Sequence, residues 1–181
     1  MAETTGATTG RSRLVTGLFR DKESAESAYG SLTGRGYGKD DINLLMSDET
    51  RKKYYPSDAP VETEMGNKAW EDAGKGAALG AGVGATIAAI AAIGTTLALP
   101  GLNLLIAGPL AAALAGAGAG GATGGLIGAL VGAGIPEERV KRYEEGIKEG
   151  GIMMGVTPRS DEDAEYFENE FRRHRGEEVY R

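Results

Sequence analysis

The sequence predicts an α+β fold in which two β-α-β halves, one toward each end of the chain, build a single sheet. Three observations point there. A strand-helix-strand pattern occupies residues 14–48, the same plan returns within 136–181, and the stretch between Lys75 and Glu137 carries no charged side chain. Each charged segment is too short to bury a good core alone, so the two are expected to fold together. With helices on one face of four strands, the expected arrangement is a ferredoxin-like split β-α-β sheet, interrupted by a Gly/Ala-rich α-helical hairpin.

The elements follow in chain order. Residues 1–13 are polar and rich in Thr and Gly, with no apolar signal-peptide core, and are expected to form a disordered tail on a chain that stays inside the cell. Residues 14–19 are rich in strand formers, and Asp21 is positioned to N-cap a helix through Ala25, Ala28, Tyr29 and Leu32. The glycines of residues 34–38 stop that helix, and residues 42–46 supply a second strand, which completes the first half over 14–48. Residues 49–75 hold Pro56, Pro60 and many polar side chains. They read as a linker that becomes helical toward Trp70, a residue suited either to a headgroup layer or to packing under the sheet.

Residues 76–135 are expected to form the helical hairpin. Leu79, Val83, Ile87, Ile90, Ile93 and Leu97 recur at steps of three and four, which gives a bulky face over 76–99. Gly76, Gly80, Gly84 and Ala88 fall on a neighbouring bare stripe, and Gly116, Gly120, Gly124, Gly128 and Gly132 form a second stripe in the following helix. Such stripes let helix backbones approach closely, so these nine positions are the candidate helix-packing interface. Pro100 and Gly101 break the first helix, Asn103 suits a turn, and Pro109 suits the opening turn of a helix running to about Gly134. Each helix is long enough to cross a hydrocarbon core of about 30 Å. Both charged segments would then lie on one side of a membrane, as a shared sheet requires.

Residues 136–181 add a helix opened by Pro136, a strand over 152–157, a helix N-capped by Ser160 that carries Ala164, Phe167 and Phe171, and a short strand at Val179 after Gly176. The regions around Gly17 and Gly155 can be laid over each other with one residue inserted near Pro158, a loose internal repeat.

Composition narrows the chemistry. The 181-residue chain has a net charge of −6 and a pI near 5.0. The dense basic run Arg51, Lys52 and Lys53 reads as a solvated face, and the acidic balance means nucleic acid is not an expected partner. The absence of cysteine removes disulfides, thiol catalysis and cysteine metal sites. His174, the only histidine, lies between two arginines near a helix end and reads as a C-terminal-turn cation. Asp161, Glu162, Asp163 and Glu165 fall in a first helical turn, where carboxylates complement the backbone dipole without a metal. The glycines of 80–84 and 116–121 resemble nucleotide loops in composition only, because neither run follows a strand or carries Gly-Lys-Ser/Thr. Gly34 and Gly36 follow a helix rather than open one. No catalytic residue, cofactor, metal or small-molecule substrate is assigned.

Two stretches carry a family resemblance: VTGLFRDKESAESAYGSLTGRGYGKDDINLL, and GPLAAALAGAGAGGATGGLIGALVGAGIPEERVKRYEEGIKEGGIMMGV. The chain resembles bacterial general stress proteins of the heat-induced stress protein type with a glycine-zipper insert. The likeness covers nearly everything after Ser12 and is most specific at Gly134, Ile135, Pro136, Glu137 and Glu138, with Tyr143, Gly146, Gly150 and Gly151. It implies a role in stress responses and no catalytic residues. The functional expectation is a non-enzymatic protein that self-associates through the hairpin at the cytoplasmic membrane, its charged segments facing the cytosol, with the lipid bilayer and its own copies as partners. The alternative is a soluble cytoplasmic assembly in which hairpins are buried between subunits.

Overall fold

The computed structural model describes residues 14–56, 83, 84, 86, 87, 94–99, 102–111, 127, 128, 130–132 and 134–181. The first half forms as expected: β1 (Val15–Phe19), α1 (Lys22–Gly34) and β2 (Ile42–Ser47). The Asp21 carboxylate accepts from the Ser24 N–H and caps α1, satisfying one of the donors a helix start leaves open. Ser47 caps a short helix, α2 (Asp48–Tyr54), where the sequence reading placed the beginning of a linker. The rest of that linker, with Trp70, lies outside the described residues.

The uncharged block departs most from expectation. Residues expected at the end of one helix and in the following turn are strands instead: β3 (Thr95–Leu99) and β4 (Leu102–Ala107). They pair antiparallel from Thr95↔Ile106 to Leu99↔Leu102, so the Pro100–Gly101 break joins two strands rather than two helices. Asn103, assigned to a turn, belongs to β4. The physical reason lies in local composition. Consecutive threonines open β3, the run from Leu104 to Ala107 is buried on both faces, and Pro-Gly suits a tight turn between strands as well as it ends a helix. A short apolar run buried on both sides has no periodicity that separates strand from helix.

The last segment supplies α3 (Glu137–Lys148), β5 (Ile152–Val156), α4 (Asp161–Arg173) and β6 (Glu177–Tyr180). Six strands form one sheet in the order β3-β4-β2-β5-β1-β6, and every neighbouring pair is antiparallel. The architecture is therefore mixed α+β, with two more strands than the four expected. One face packs against α1 and α4 through Phe19, Tyr29, Leu32, Met154, Phe167 and Phe171. The other packs against α3 through Leu18, Leu45, Val140, Tyr143, Ile147 and Met153. Full burial of each large side chain contributes roughly 1.5–3 kcal/mol, and Phe19 also meets Phe171 edge-on with ring centroids 5.4 Å apart.

Two glycines set how closely these layers approach. At Gly146, inside α3, a Cβ would collide with the Leu18 side chain, so the bare backbone lets the helix settle on β1. Gly108, just past β4, has φ +96° and sits against the Ile42 carbonyl and the Asn43 backbone of β2. The chain turns there because Asn43, itself buried, accepts from the Leu110 N–H at 2.7 Å through its side-chain oxygen.

Candidate functional site

Of the nine glycine-stripe positions, Gly84, Gly128 and Gly132 fall within the described residues, while Gly76, Gly80, Ala88, Gly116, Gly120 and Gly124 lie outside them. Gly84 is helical and lies against α1, where a Cβ would stand 2.7 Å from a Glu26 carboxylate oxygen. Its neighbours Val83 and Ile87 join the core on the α1 and α4 face. Gly128 and Gly132 belong to helical residues on the opposite side of the sheet, where Ile127 and Leu130 pack into the core beneath α3. The sequence expected the two stripes in one hairpin. The described parts of the two arms instead sit on opposite faces of the sheet, with the β3–β4 hairpin between them in the chain, so Gly84 and the Gly128–Gly132 pair do not meet.

Gly128 and Gly132 nonetheless form a bare surface. Among the described residues, nothing lies within 4 Å of the position a Cβ would take at either glycine. Beside them Val131 is 42% exposed, the one large hydrophobic side chain so exposed among the described residues. Gly134, with φ +93°, ends this helical stretch.

Among the described residues, four polar clusters bring chemistry-bearing side chains together. The first joins Ser31, Glu170 and His174, residue types that elsewhere make a nucleophile and its base. Here Ser31 Oγ stands 2.9 Å from Glu170 Oε2 and 3.1 Å from His174 Nε2. The serine proton goes to the buried carboxylate, which leaves Oγ to accept from the imidazole. That polarity is opposite to the one that activates a serine. His174 is the C-cap residue of α4, close to its expected place in the last turn.

The second cluster ties the C-terminal end of α1 to the start of α4. The Tyr37 hydroxyl donates to Asp163 Oδ2 at 2.6 Å and accepts from the Arg159 N–H at 2.7 Å. Arg35 donates to Asp163 and Glu162, and Arg159 donates to Asp41 while lying over the Tyr37 ring. The Tyr37 and Arg35 hydrogen bonds hold the Asp163 carboxyl below its ordinary pKa. Both oxygens of Asp163 are thus engaged by protein donors. Among the described residues no group of three or more acidic or histidine side chains is placed to hold a metal ion.

The third cluster fastens β6. Glu178 has φ +51°, outside the usual range for a residue with a side chain, and the register of β1 against β6 shifts beside it. Its carbonyl accepts from the Tyr143 hydroxyl at 2.6 Å and from Arg139 at 3.0 Å, and its carboxylate pairs with Arg139 and Arg142. Tyr143 is itself buried and accepts from the Thr16 hydroxyl, with its pKa pushed up to about 12, chiefly by burial.

The fourth is a cleft of about 350 Å³ between α2 and the end of α3, lined by Arg20, Ser47, Glu49, Thr50, Lys53, Tyr54, Lys148, Glu149 and Gly150. Arg20 is already paired with Glu149 and Glu177, Lys148 with Glu144, and the Ser47 and Thr50 hydroxyls bond each other. The cleft brings charge of both signs together without converging donors on one point. It carries no nucleophile-and-base pair.

Sequence reasoning missed the second and third clusters. Their members stand far apart in the chain, and no local pattern marks them. Among the described residues no helix is long and apolar enough to cross a membrane. Compared with known proteins, the chain matches no family model, no curated protein and no solved structure.

Proposed function

We propose that this protein is a non-enzymatic, self-associating component of a stress response, and that copies meet through the bare face at Gly128, Val131 and Gly132. The observation that carries the reading is the open space over the two glycines beside an exposed valine. A glycine inside a helix costs about 1 kcal/mol relative to alanine. Alanine would fit at both positions without touching any described residue. Smooth, exposed helix surface is what close approach of a second backbone needs, and exposed apolar surface beside it favours contact over hydration. The stress-response role rests on the family resemblance of the two stretches quoted above, which covers nearly everything after Ser12. The consecutive strands β2-β5-β1-β6, with α1 and α4 as crossovers, support reading the module as a ferredoxin-like split β-α-β fold with β3 and β4 added at one edge.

The test is a native mass measurement of the intact chain purified without detergent, beside Gly128→Leu and Gly132→Leu. An oligomer that dissociates in both variants while the far-ultraviolet spectrum stays native supports the proposal. A wild-type monomer, or an oligomer indifferent to both changes, overturns it. Recovery of the wild type only in the detergent-solubilised fraction would transfer the reading to lipid as the partner of that face.

A further inference from the structure

The contact between α1 and the helical residues 83, 84, 86 and 87 buries two polar atoms that have no hydrogen-bond partner, Glu26 Oε1 and the Tyr55 hydroxyl. Ile87 is fully buried there and Val83 packs on the same core, 3.6 Å from where a Gly30 Cβ would lie. Gly84 lies directly over the Glu26 carboxylate. Buried polar groups are almost always satisfied, so a carboxylate oxygen and a phenol left bare at one contact call for an account.

Among the described residues, charge at this contact comes from one side only. Lys22, on the same helix as Glu26, places Nζ 3.6 Å from Oε1 and is itself 43% exposed, so water screens its help. From the last residue of α2 and the one after it come the titratable Tyr54 and Tyr55, and the Tyr55 phenol is raised by burial first and by the Glu26 charge second. The described residues of the docked turn are Val83, Gly84, Thr86 and Ile87, none of them ionisable. An ionised carboxylate under this turn pays for desolvation with only the half-exposed Lys22 ammonium to offset it, whereas a protonated carboxyl is far cheaper to bury.

We propose that this contact is a proton-governed latch: the turn carrying Val83, Gly84 and Ile87 seats on α1 more tightly when Glu26 is protonated than when it is ionised. The Glu26 pKa is raised, burial being the leading cause, as the geometry requires. The sign follows from linkage. Releasing the turn rehydrates the carboxyl and returns its pKa toward the ordinary value, so the seated state holds the proton more tightly. Seating therefore strengthens as pH falls through the raised value, is strongest below the ordinary one, and loosens as pH rises. The consequence is that acidification tightens the contact of Val83, Gly84 and Ile87 with α1 and a rise in pH loosens it.

The experiment is amide hydrogen exchange of the full-length chain at Ile87, corrected for intrinsic rates, between about pH 4 and about pH 7, in the wild type and in Glu26→Gln. Wild-type protection should rise on acidification by up to about tenfold for each unit separating the seated and released pKa values. In the variant it should stay nearly flat and high. Equal slopes in both proteins, or a flat wild-type profile, would overturn the latch. A carbon-13 titration of the Glu26 carboxyl in the wild type decides the matter independently of how the variant folds. A midpoint in the ordinary glutamate range overturns the latch, and a raised midpoint that Gly84→Leu brings down supports it.

Discussion

Gly108→Ala is the single change expected to harm this fold most for its size. The new Cβ would meet the Ile42 carbonyl and the Asn43 backbone at a positive φ. Strain and overpacking together should remove roughly 3 kcal/mol from the unfolding free energy, measurable by urea denaturation. Tyr143→Phe tests the β6 fastening in a subtler way. It leaves the buried Thr16 hydroxyl without its acceptor and the Glu178 carbonyl with Arg139 alone, so about 1–3 kcal/mol should be lost, with exchange at β6 amides rising more than at β2. Neither residue announces itself in the sequence as more than a glycine near a proline and a tyrosine in an amphipathic helix. Sequence spacing tells which side chains share a face, and it does not tell what that face meets. The glycine stripes show the same limit: helical spacing grouped Gly84 with the first stripe and Gly132 with the second, yet nothing in it could place the two on opposite sides of a sheet.

Helix starts were the most legible elements, because capping is local. Asp21 and Ser160 were readable from three-residue neighbourhoods, and Ser47 caps α2 by the same device. Ser160→Ala should cost about 1 kcal/mol, read as a lowered midpoint with an unchanged denaturant slope. The β3–β4 hairpin was illegible for the opposite reason. Leu97 satisfies both a helical step from Ile93 and a strand position, and only partners distant in sequence decide between them. Leu104 settles whether β4 is integral to the core. It is wholly buried on the α3 side, so Leu104→Ala should destabilise the entire module by about 2–5 kcal/mol in one cooperative transition. A leucine in a helical hairpin apart from the sheet would leave that transition nearly untouched.

Across the molecule, charge ties the surface together and sets its response to acid. Asp163 is held below its ordinary pKa by Tyr37 and Arg35, Asp48 by Lys52 and Glu137 by Lys141. A carboxyl with a depressed folded pKa contributes stability that is present above its unfolded value and lost as pH falls through the folded one. Denaturation midpoints should therefore hold down to about pH 5 and fall below about pH 4, with Glu26 acting weakly in the opposite sense. The strand order has a further consequence, for the way the chain is made. β1 lies between β5 and β6, so it leaves the ribosome well before both of its neighbours, with roughly 140 residues separating Val15 from Val156. Until then its apolar edge has no partner within the chain. A newly made copy therefore carries an open strand edge through much of translation, a state in which clumping with its siblings competes with closure of its own sheet.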